Sequence, residues 1–318
     1  MTSGASPSPP TRPRPKLSAE LRDFCLHYSM RALPTGPCSD LGAWCGTALG
    51  QRGYPAADSR IRALLAQLRP DLAATPESLA ASLRLIWQNI GRTYAEFAAV
   101  ERIVPEGRAI LIDPHRLDEA YADDRPLILC FFHLGNWEVL ARQVIIHPSI
   151  DRGRPFTAVT MPPSNRAHAF IAARRRSSLP VNLVPMNRRV WHSVTECLRR
   201  PRGIVWLAGD ESANGRVFAP HFGRKVRLDG NLGKIVRLAA ATGARVLPMY
   251  NERIGTTHFQ SHILPMIEVP QGRLSDEQIE AHVMRIDAVF APIVKRLLTQ
   301  WYMAVDFSLD PEDPIAGG

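Results

Sequence analysis

The sequence predicts an α/β fold in which a mixed sheet is flanked by helices on both faces and preceded by an N-terminal helical region. Three observations predict this class. From about residue 127 onward, short apolar runs rich in β-branched and aromatic residues alternate with longer helical patterns, as α/β folds require. The residues before about 105 carry helical patterns alone. A chain of 318 residues that is 45% hydrophobic can also bury a large core.

The predicted elements follow in order along the chain. Helical periodicity predicts helices at residues 19–31, 59–68, 76–100, 137–146, 165–177, 190–199, 231–242 and 276–299. Short, bounded apolar runs predict strands at 127–132, 156–161, 181–184, 204–207, 245–250 and 257–268. We therefore predict a disordered, basic, proline-rich tail at 1–16, a helical region at 17–105, a mixed-sheet domain at 106–307 and a flexible tail at 308–318.

A histidine stands at the end of the first predicted strand. The strand leads directly into His133, and Gly135 with Asn136 supplies a turn and a helix N-cap ahead of Trp137 and Glu138. Open α/β sheets place their chemistry at the carboxyl ends of strands. We interpret His133 and Glu138 as a catalytic pair. The alternative is a core histidine capped by a nearby carboxylate.

The spacing of this pair is weak evidence by itself. Ten histidines and 30 acidic residues in this chain give roughly one such match by chance, so the motif is a hypothesis. A second match, His282 to Asp287, lies within a predicted helix, where a separation of five residues turns the two side chains about 140° apart. We interpret that second match as accidental.

Four sequence blocks share a known pattern. His133 to Glu138 reads HLGNWE, residues 209–224 carry GDE and GRVFAPHFGR, residues 238–248 read LAAATGARVLP, and residues 89–96 form a helical block. Together, and in their order along the chain, they resemble the bacterial lipid A biosynthesis acyltransferases, the late acyltransferases of lipid A, and their phosphatidylinositol-mannoside acyltransferase relatives. The resemblance spans roughly residues 17–301.

The resemblance implies a glycerolipid-acyltransferase-like fold and an acyltransferase of EC class 2.3.1. The enzyme would move a fatty acyl chain from an acyl-carrier-protein thioester, or from acyl-CoA, to a hydroxyl of a membrane glycolipid or lysolipid, with late acylation of lipid A as the leading reaction. His133 would be the general base, and Glu138 would fix the tautomer of its imidazole. No metal and no cofactor beyond the acyl donor is expected.

The resemblance also implies further site residues. The run of three arginines at 174–176 stands where the family has a site arginine, so Arg175 or Arg176 would grip a phosphate or stabilise charge during transfer. Asp210 would pair with that arginine or contact the acceptor. With His133 and Glu138 these form the predicted catalytic set. The predicted substrate-binding residues are Asn136, Trp137, Arg174, Phe222 and Gly223.

The chain also departs from the family pattern. No stretch approaches 18 consecutive apolar residues, so we predict that membrane attachment is peripheral. The resemblance implies the cytoplasmic face of the bacterial inner membrane as its place. Glu211 replaces the usual glutamine after Asp210, and residues 301–306 lack the family's C-terminal motif. The acceptor, the chain length and the oligomeric state therefore stay open. The alternatives are a specialised acceptor other than lipid A and a non-catalytic relative that binds lipid or carrier protein.

Charge and cysteine content limit the partners. Residues 152–202 hold eleven arginines and one acidic residue, Glu196, a local charge of +10 in a protein of net charge +9. This segment would recruit acyl carrier protein or anionic membrane lipids, and no nucleic acid, because no nucleic-acid-binding motif accompanies the arginines. Five cysteines without paired spacing predict reduced thiols, no disulfide and no zinc. Residues 17–54 are the candidate for membrane-surface contact.

Overall fold

The fold is described from a computed structural model of the chain. The structure describes residues 17–151, 153–161, 166–187, 189–210 and 217–309. The predicted tail at 1–16 and nearly all of the tail at 308–318 lie outside these residues, as do Arg152, Arg188 and Glu211.

Residues 17–103 form a series of helices. Their bounds are α1 Leu17–Ala32, α2 Thr35–Gly53, α3 Pro55–Leu68, α4 Pro76–Glu96 and α5 Val100–Ile103, with a 3₁₀ helix at Pro70–Ala73. Helix α4 begins with a capping box, in which Thr75 and Ser78 each accept a hydrogen bond from the other's backbone N–H. The predicted helical character of this region is confirmed.

Helix α2 is the longest element that the sequence patterns missed. Its 19 residues include five glycines, and glycine lowers helix propensity by about 1 kcal/mol relative to alanine. The structure shows why glycines stand there: a Cβ atom on Gly46 would clash with the carbonyl oxygen of Trp87, and one on Gly50 would clash with the indole of Trp87. The glycines therefore allow α2 to lie directly on α4, and packing replaces propensity as the source of helix stability.

A seven-stranded mixed sheet forms the centre of the protein and confirms the predicted fold class. Its order is β1-β7-β6-β2-β5-β3-β4, and every neighbouring pair is parallel except β6 and β7. The strands are β1 Ala109–Ile112, β2 Leu127–Phe131, β3 Phe156–Thr160, β4 Asn182–Pro185, β5 Ile204–Ala208, β6 Arg245–Ile254 and β7 His258–Ile263.

Helices connect these strands. They are α6 His115–Ala122, α7 Trp137–Ile145, α8 Arg166–Arg176, α9 Val190–Arg199, α10 Asn231–Thr242 and α11 Asp276–Arg296, followed by 3₁₀ helices at Leu298–Gln300 and Tyr302–Val305. The patterns did not predict β1 or α6. Both are short, with four and eight residues, so the alternation of apolar and polar residues repeats too few times to be recognised in the sequence. The other predicted strands and helices of the sheet region occur within a few residues of the expected positions, apart from residues 257–268, of which the strand takes the first half.

Strand β2 lies at the centre of the sheet, between β5 and β6. Its five residues are all buried, because their side chains alternate between the two faces of the sheet and each face is covered by a hydrophobic core. Ile128 and Cys130 belong to the larger core, which also contains Leu65 of α3 and Ile86 of α4. Leu129 faces the core on the opposite side. This two-sided burial explains the continuous apolar run, and it shows that α3 and α4 share a core with the sheet.

Among the described residues, no helix combines the length and the apolar character that a transmembrane span needs.

Candidate active site

The sheet register brings His133 and Asp210 together. Strands β2 and β5 are parallel neighbours, and Phe131 lies opposite Ala208. Two residues further along each strand, His133 and Asp210 therefore emerge side by side at the carboxyl edge of the sheet. The backbone N–H of Gly209 still donates to the carbonyl of Phe131, at 2.8 Å, so the register continues to the site.

Asp210 is fully buried and binds His133 through both carboxylate oxygens. Nδ1 of His133 lies 2.8 Å from Oδ1, and the backbone N–H of His133 donates to Oδ2 at 2.9 Å. The indole N–H of Trp301 donates to the same Oδ2 at 2.9 Å. These contacts hold the carboxylate and the imidazole in one geometry.

This geometry assigns the histidine tautomer. A carboxylate only accepts hydrogen bonds, so Nδ1 of His133 carries the proton that Asp210 accepts. The basic lone pair then resides on Nε2. The imidazole packs edge-on against the indole of Trp137, with ring centroids 4.6 Å apart, and this contact restricts its rotation. Asp210 and Trp137 therefore hold the imidazole of His133 in one orientation.

The pairing corrects one prediction about Glu138. We expected Glu138 to fix the imidazole tautomer, but Asp210 occupies Nδ1. Glu138 instead forms an ion pair with Arg176: Nε of Arg176 donates to Oε2 at 3.3 Å, and Nη2 makes a shorter contact with Oε1. Asn136 caps α7 by accepting from the backbone N–H of Glu138 at 3.1 Å, so Glu138 stands in the first helical turn.

The two candidate arginines point to different carboxylates. Arg176 joins Glu138 next to the site, whereas Arg175 is buried against Glu101, with Nη1 2.7 Å from Oε2. The expectation that Asp210 pairs with one of these arginines is therefore wrong, because His133 and Trp301 occupy its oxygens. Of the two, Arg176 is the one that the fold places beside the loop that carries His133.

The turn after His133 is held from two directions. Gly135 has φ of +57°, and a Cβ atom there would lie 2.7 Å from the carbonyl oxygen of Asn251, so the position requires glycine. The amide of Asn251 donates to the carbonyl of Asn136 at 2.6 Å, and the amide of Asn136 donates to buried Glu96 at 2.9 Å. Arg253 pairs with Glu96 in turn. Residues 133–136 are consequently rigid.

The C-terminal segment completes the site, and the sequence patterns did not reveal it. The backbone N–H of Tyr302 donates to the carbonyl of His133 at 2.9 Å. The ring of Tyr302 packs 5.0 Å from Trp137, and its hydroxyl lies 2.5 Å from that of Tyr94 on α4. Trp301 and Tyr302 occupy the stretch that departs from the family's C-terminal motif, so that departure was the signal. No spacing rule links residues so far apart.

Three predicted substrate contacts lie apart from the base. Arg174 is exposed on the last turn of α8. Phe222 packs edge-on to Phe307 at 5.8 Å, and Gly223 adopts φ of +83° with open space around it. Phe307 contacts Trp301 at 5.0 Å, so Phe222 connects to the site through two aromatic rings. A groove for the acyl chain at Phe222 and Gly223 stays a prediction.

The block around Phe222 is held by buried polar contacts. His221 repeats the His–Asp arrangement, since both its backbone N–H and its Nδ1 lie 2.9 Å from Oδ1 of Asp287. Arg224 donates to the carbonyls of Phe218 and Ser308 at 2.8 and 2.6 Å, and burial lowers the pKa of Arg224 to about 10. Asp287, which the sequence spacing paired with His282, thus binds His221 in the structure.

All five cysteines are free thiols, and Cys130 is the one that lies next to the site. Cys130, three residues before the base, is fully buried in the core, and desolvation with the nearby Asp210 carboxylate raises the pKa of its thiol far above the usual range. Cys130 is therefore a core residue and not a nucleophile, because a nucleophilic cysteine needs a lowered pKa and access to solvent or substrate.

A family model described as bacterial lipid A biosynthesis acyltransferase matches residues 27–305. No curated protein matched the chain. Among solved structures, the crystal structure of the 1-acyl-sn-glycerophosphate (LPA) acyltransferase PlsC from Thermotoga maritima is similar, with 15% sequence identity, a TM-score of 0.35, and coverage of 64% of this chain and 81% of that chain.

Proposed function

The chain belongs to the bacterial lipid A biosynthesis acyltransferase family and is an acyltransferase, and we propose that it moves a fatty acyl chain from an acyl-carrier-protein thioester to a hydroxyl of a membrane glycolipid. The observation that carries this proposal is the buried Asp210 that orients His133 at the carboxyl edge of the sheet. Coenzyme A is the second candidate donor. Late acylation of lipid A is the leading candidate reaction.

The geometry supports direct transfer with His133 as the general base. An alcohol is a poor nucleophile at neutral pH, so Nε2 of His133 would take the hydroxyl proton as the oxygen bonds to the thioester carbonyl carbon. The C–S bond then breaks, and the thiolate takes the proton from the imidazolium. Asp210 stabilises the imidazolium that forms between these steps. Such proton transfer contributes roughly 10²–10⁴ in rate.

Glu138 and Arg176 form the second part of the proposed site. Their ion pair fixes the guanidinium beside the loop that carries His133. A guanidinium presents a planar fork that matches phosphate oxygens. We assign Arg176 to a phosphate of the donor's phosphopantetheine arm or of the acceptor, and Arg175, buried against Glu101, to holding α8 in place.

The exposed charge supports the proposed partners and location. In the basic segment, Arg154, Arg175, Arg176 and Arg202 bind carboxylates or carbonyls of the protein. Arg166, Arg174, Arg189, Arg199 and Arg200 are exposed. A cationic surface of this kind favours acyl carrier protein and anionic lipids. We propose peripheral attachment at the cytoplasmic face of the inner membrane.

Two measurements test this function. Purified His133→Ala protein should lose transfer to the lipid acceptor while melting close to wild type, and His282→Ala, which removes a half-exposed histidine of α11, should stay active. Mass spectrometry of lipids from cells with and without the protein should then show one acyl chain missing from a glycolipid. Wild-type turnover in folded His133→Ala protein would exclude the proposed base. A missing chain on a lipid other than lipid A would identify a specialised acceptor.

A further inference from the structure

Helices α1 and α8 pack together at the surface and leave an apolar cleft open between them. Leu21 and Phe24 of α1 and Ala167 and Phe170 of α8 line the cleft. Leu21 is 63% exposed and Phe170 is 56% exposed. The ring of Phe24 lies 4.6 Å from Tyr28 and 5.9 Å from Phe170. Exposed apolar side chains that cluster in this way mark interaction sites.

Both arginines and acidic residues flank this apolar cleft: Glu20 lines it, and the backbone N–H of Arg166 donates to Oε1 of Glu20 at 3.2 Å. The two helices together carry six arginines and two acidic residues. Arg31 and Arg175 pair with Glu101, Arg176 pairs with Glu138 and Arg22 pairs with Asp23, so Arg166 and Arg174 are the arginines that supply positive charge nearest the cleft. Arg166 lines the cleft, Arg22 is 73% exposed, and Arg174 is exposed one turn beyond Phe170. Guanidinium groups pair with lipid phosphates, whereas aromatic rings settle at the level of the headgroups. The cleft thus combines the two kinds of side chain that a bilayer surface binds.

Helix α8 connects the cleft to the active site. It begins with Arg166 at the cleft and ends with Arg176, which pairs with Glu138 beside the catalytic loop. Its eleven residues span about 16 Å at the helical rise per residue. A bilayer that touches the cleft would therefore bring lipid headgroups within one helix length of the site.

We propose that the α1–α8 surface is where this protein binds an anionic phospholipid bilayer, an inference that rests on the proposed lipid acceptor. An acidic carrier protein would also bind the arginines. The aromatic and aliphatic side chains exposed among those arginines favour the bilayer, because insertion between headgroups removes them from water. The surface then orients the site toward the membrane that holds the acceptor.

Vesicle binding by the full-length protein tests this assignment. We expect tight binding to vesicles of phosphatidylcholine and phosphatidylglycerol in equal parts, and weak binding to phosphatidylcholine alone. Phe24→Ser combined with Phe170→Ser should weaken binding at least about tenfold. Arg166→Gln should weaken it about fivefold. The control is Ile110→Ser, which removes a side chain that is 52% exposed on β1, at the opposite edge of the sheet, and should bind like wild type.

The readouts separate this inference from the proposed function. Vesicle binding is measured without acyl donor, so it does not depend on catalysis. Transfer to a detergent-dispersed acceptor should remain near wild type in the Phe24→Ser, Phe170→Ser protein, and its melting temperature shows that it folds. Unchanged vesicle binding by this variant overturns the proposal. Two other results would also overturn the proposal. If the double variant binds vesicles normally but binds acyl carrier protein more weakly, the cleft is a carrier-protein site. If it instead loses a dimer that the wild type forms without lipid, the cleft is a dimer interface.

Discussion

Replacing Asp210 by asparagine tests the proposed chemistry most directly. Oδ2 of Asp210 accepts from the backbone N–H of His133 and from the indole of Trp301, whereas Oδ1 accepts from Nδ1 of His133. The amide oxygen of asparagine can keep both donors at the Oδ2 position. Its amide nitrogen then takes the Oδ1 position and donates to Nδ1. The histidine proton must move to Nε2, the atom that has to accept the hydroxyl proton.

The magnitude follows from this tautomer reversal. The same substitution in a Ser-His-Asp triad lowers kcat about 10⁴-fold, so we expect turnover in Asp210→Asn to fall about 10³–10⁴-fold. Asparagine is preferable to alanine. Alanine would leave three buried groups without partners, the backbone N–H and Nδ1 of His133 and the indole N–H of Trp301, at about 1–3 kcal/mol each. That loss is a large part of a typical stability of about 5–15 kcal/mol.

The assay is the release of free thiol from an acyl thioester in the presence of the lipid acceptor, followed with a thiol-reactive dye. Thermal melting by circular dichroism checks that the variant is folded. Glu138→Gln is the comparison, and it should lose less activity because Glu138 holds Arg176 rather than the base. If Asp210→Asn keeps more than about a tenth of the wild-type rate, or Glu138→Gln is the more damaged of the two, the assignment of Asp210 as the partner of His133 is refuted.

Three further predictions concern the arginines, the helix interface and the response to pH. Arg176→Lys should lower turnover about tenfold or more, because lysine lacks the planar fork, whereas Arg175→Lys should lower the melting temperature more than the turnover; equal turnover in both would contradict the assignment. Gly46→Ala should cost about 1–3 kcal/mol or more of stability in urea denaturation, since its Cβ atom would meet the carbonyl of Trp87, and Gly36→Ala, which has open space around it, should be neutral or stabilising. Burial of His262 lowers its pKa below 6.5, so the stability it contributes is present above pH 6.5 and is lost as the pH falls from there toward the folded pKa. His262→Phe keeps the ring stacked on Tyr250, and it should narrow the difference in melting temperature between about pH 7.5 and 5.5; an unchanged difference would show that other groups cause the acid sensitivity.

Much of the sheet could be predicted because its strands are short apolar runs bounded by turn residues. The buried run of β2 located His133 at a strand end, and the Gly135–Asn136 turn located the start of α7. Helix α2 could not be predicted, because its glycines act against helix formation until α4 lies beside them. Whether α2 forms depends on its packing against α4, and a local sequence pattern does not contain that information.

The partner of the base could not be predicted for a related reason. His133 and Asp210 are 77 residues apart, and they meet through the pairing of β2 with β5. A strand order is a property of the whole sheet, so the residue that lies nearest along the chain, Glu138, was the natural candidate. Trp301 and Tyr302 were missed on the same grounds, since Trp301 lies 91 residues from Asp210 along the chain and meets it only in the folded protein.

The spacing of His133 and Glu138 acquires a different meaning in the folded chain. Asn136 caps α7, and the cap sets Glu138 in the first helical turn, where a carboxylate is stabilised by the helix dipole. From that position Glu138 reaches Arg176 at the end of α8, while His133 stays on the strand side of the turn and binds Asp210. We infer that the motif fixes the distance between a base and a phosphate-binding arginine. On this view the five-residue spacing matters because a shorter or longer turn would separate the two halves of the site, and inserting one residue between Gly135 and Asn136 should lower turnover more than removing the Glu138 carboxylate does. Equal turnover in the insertion variant and in Glu138→Gln would show that the spacing has no such role.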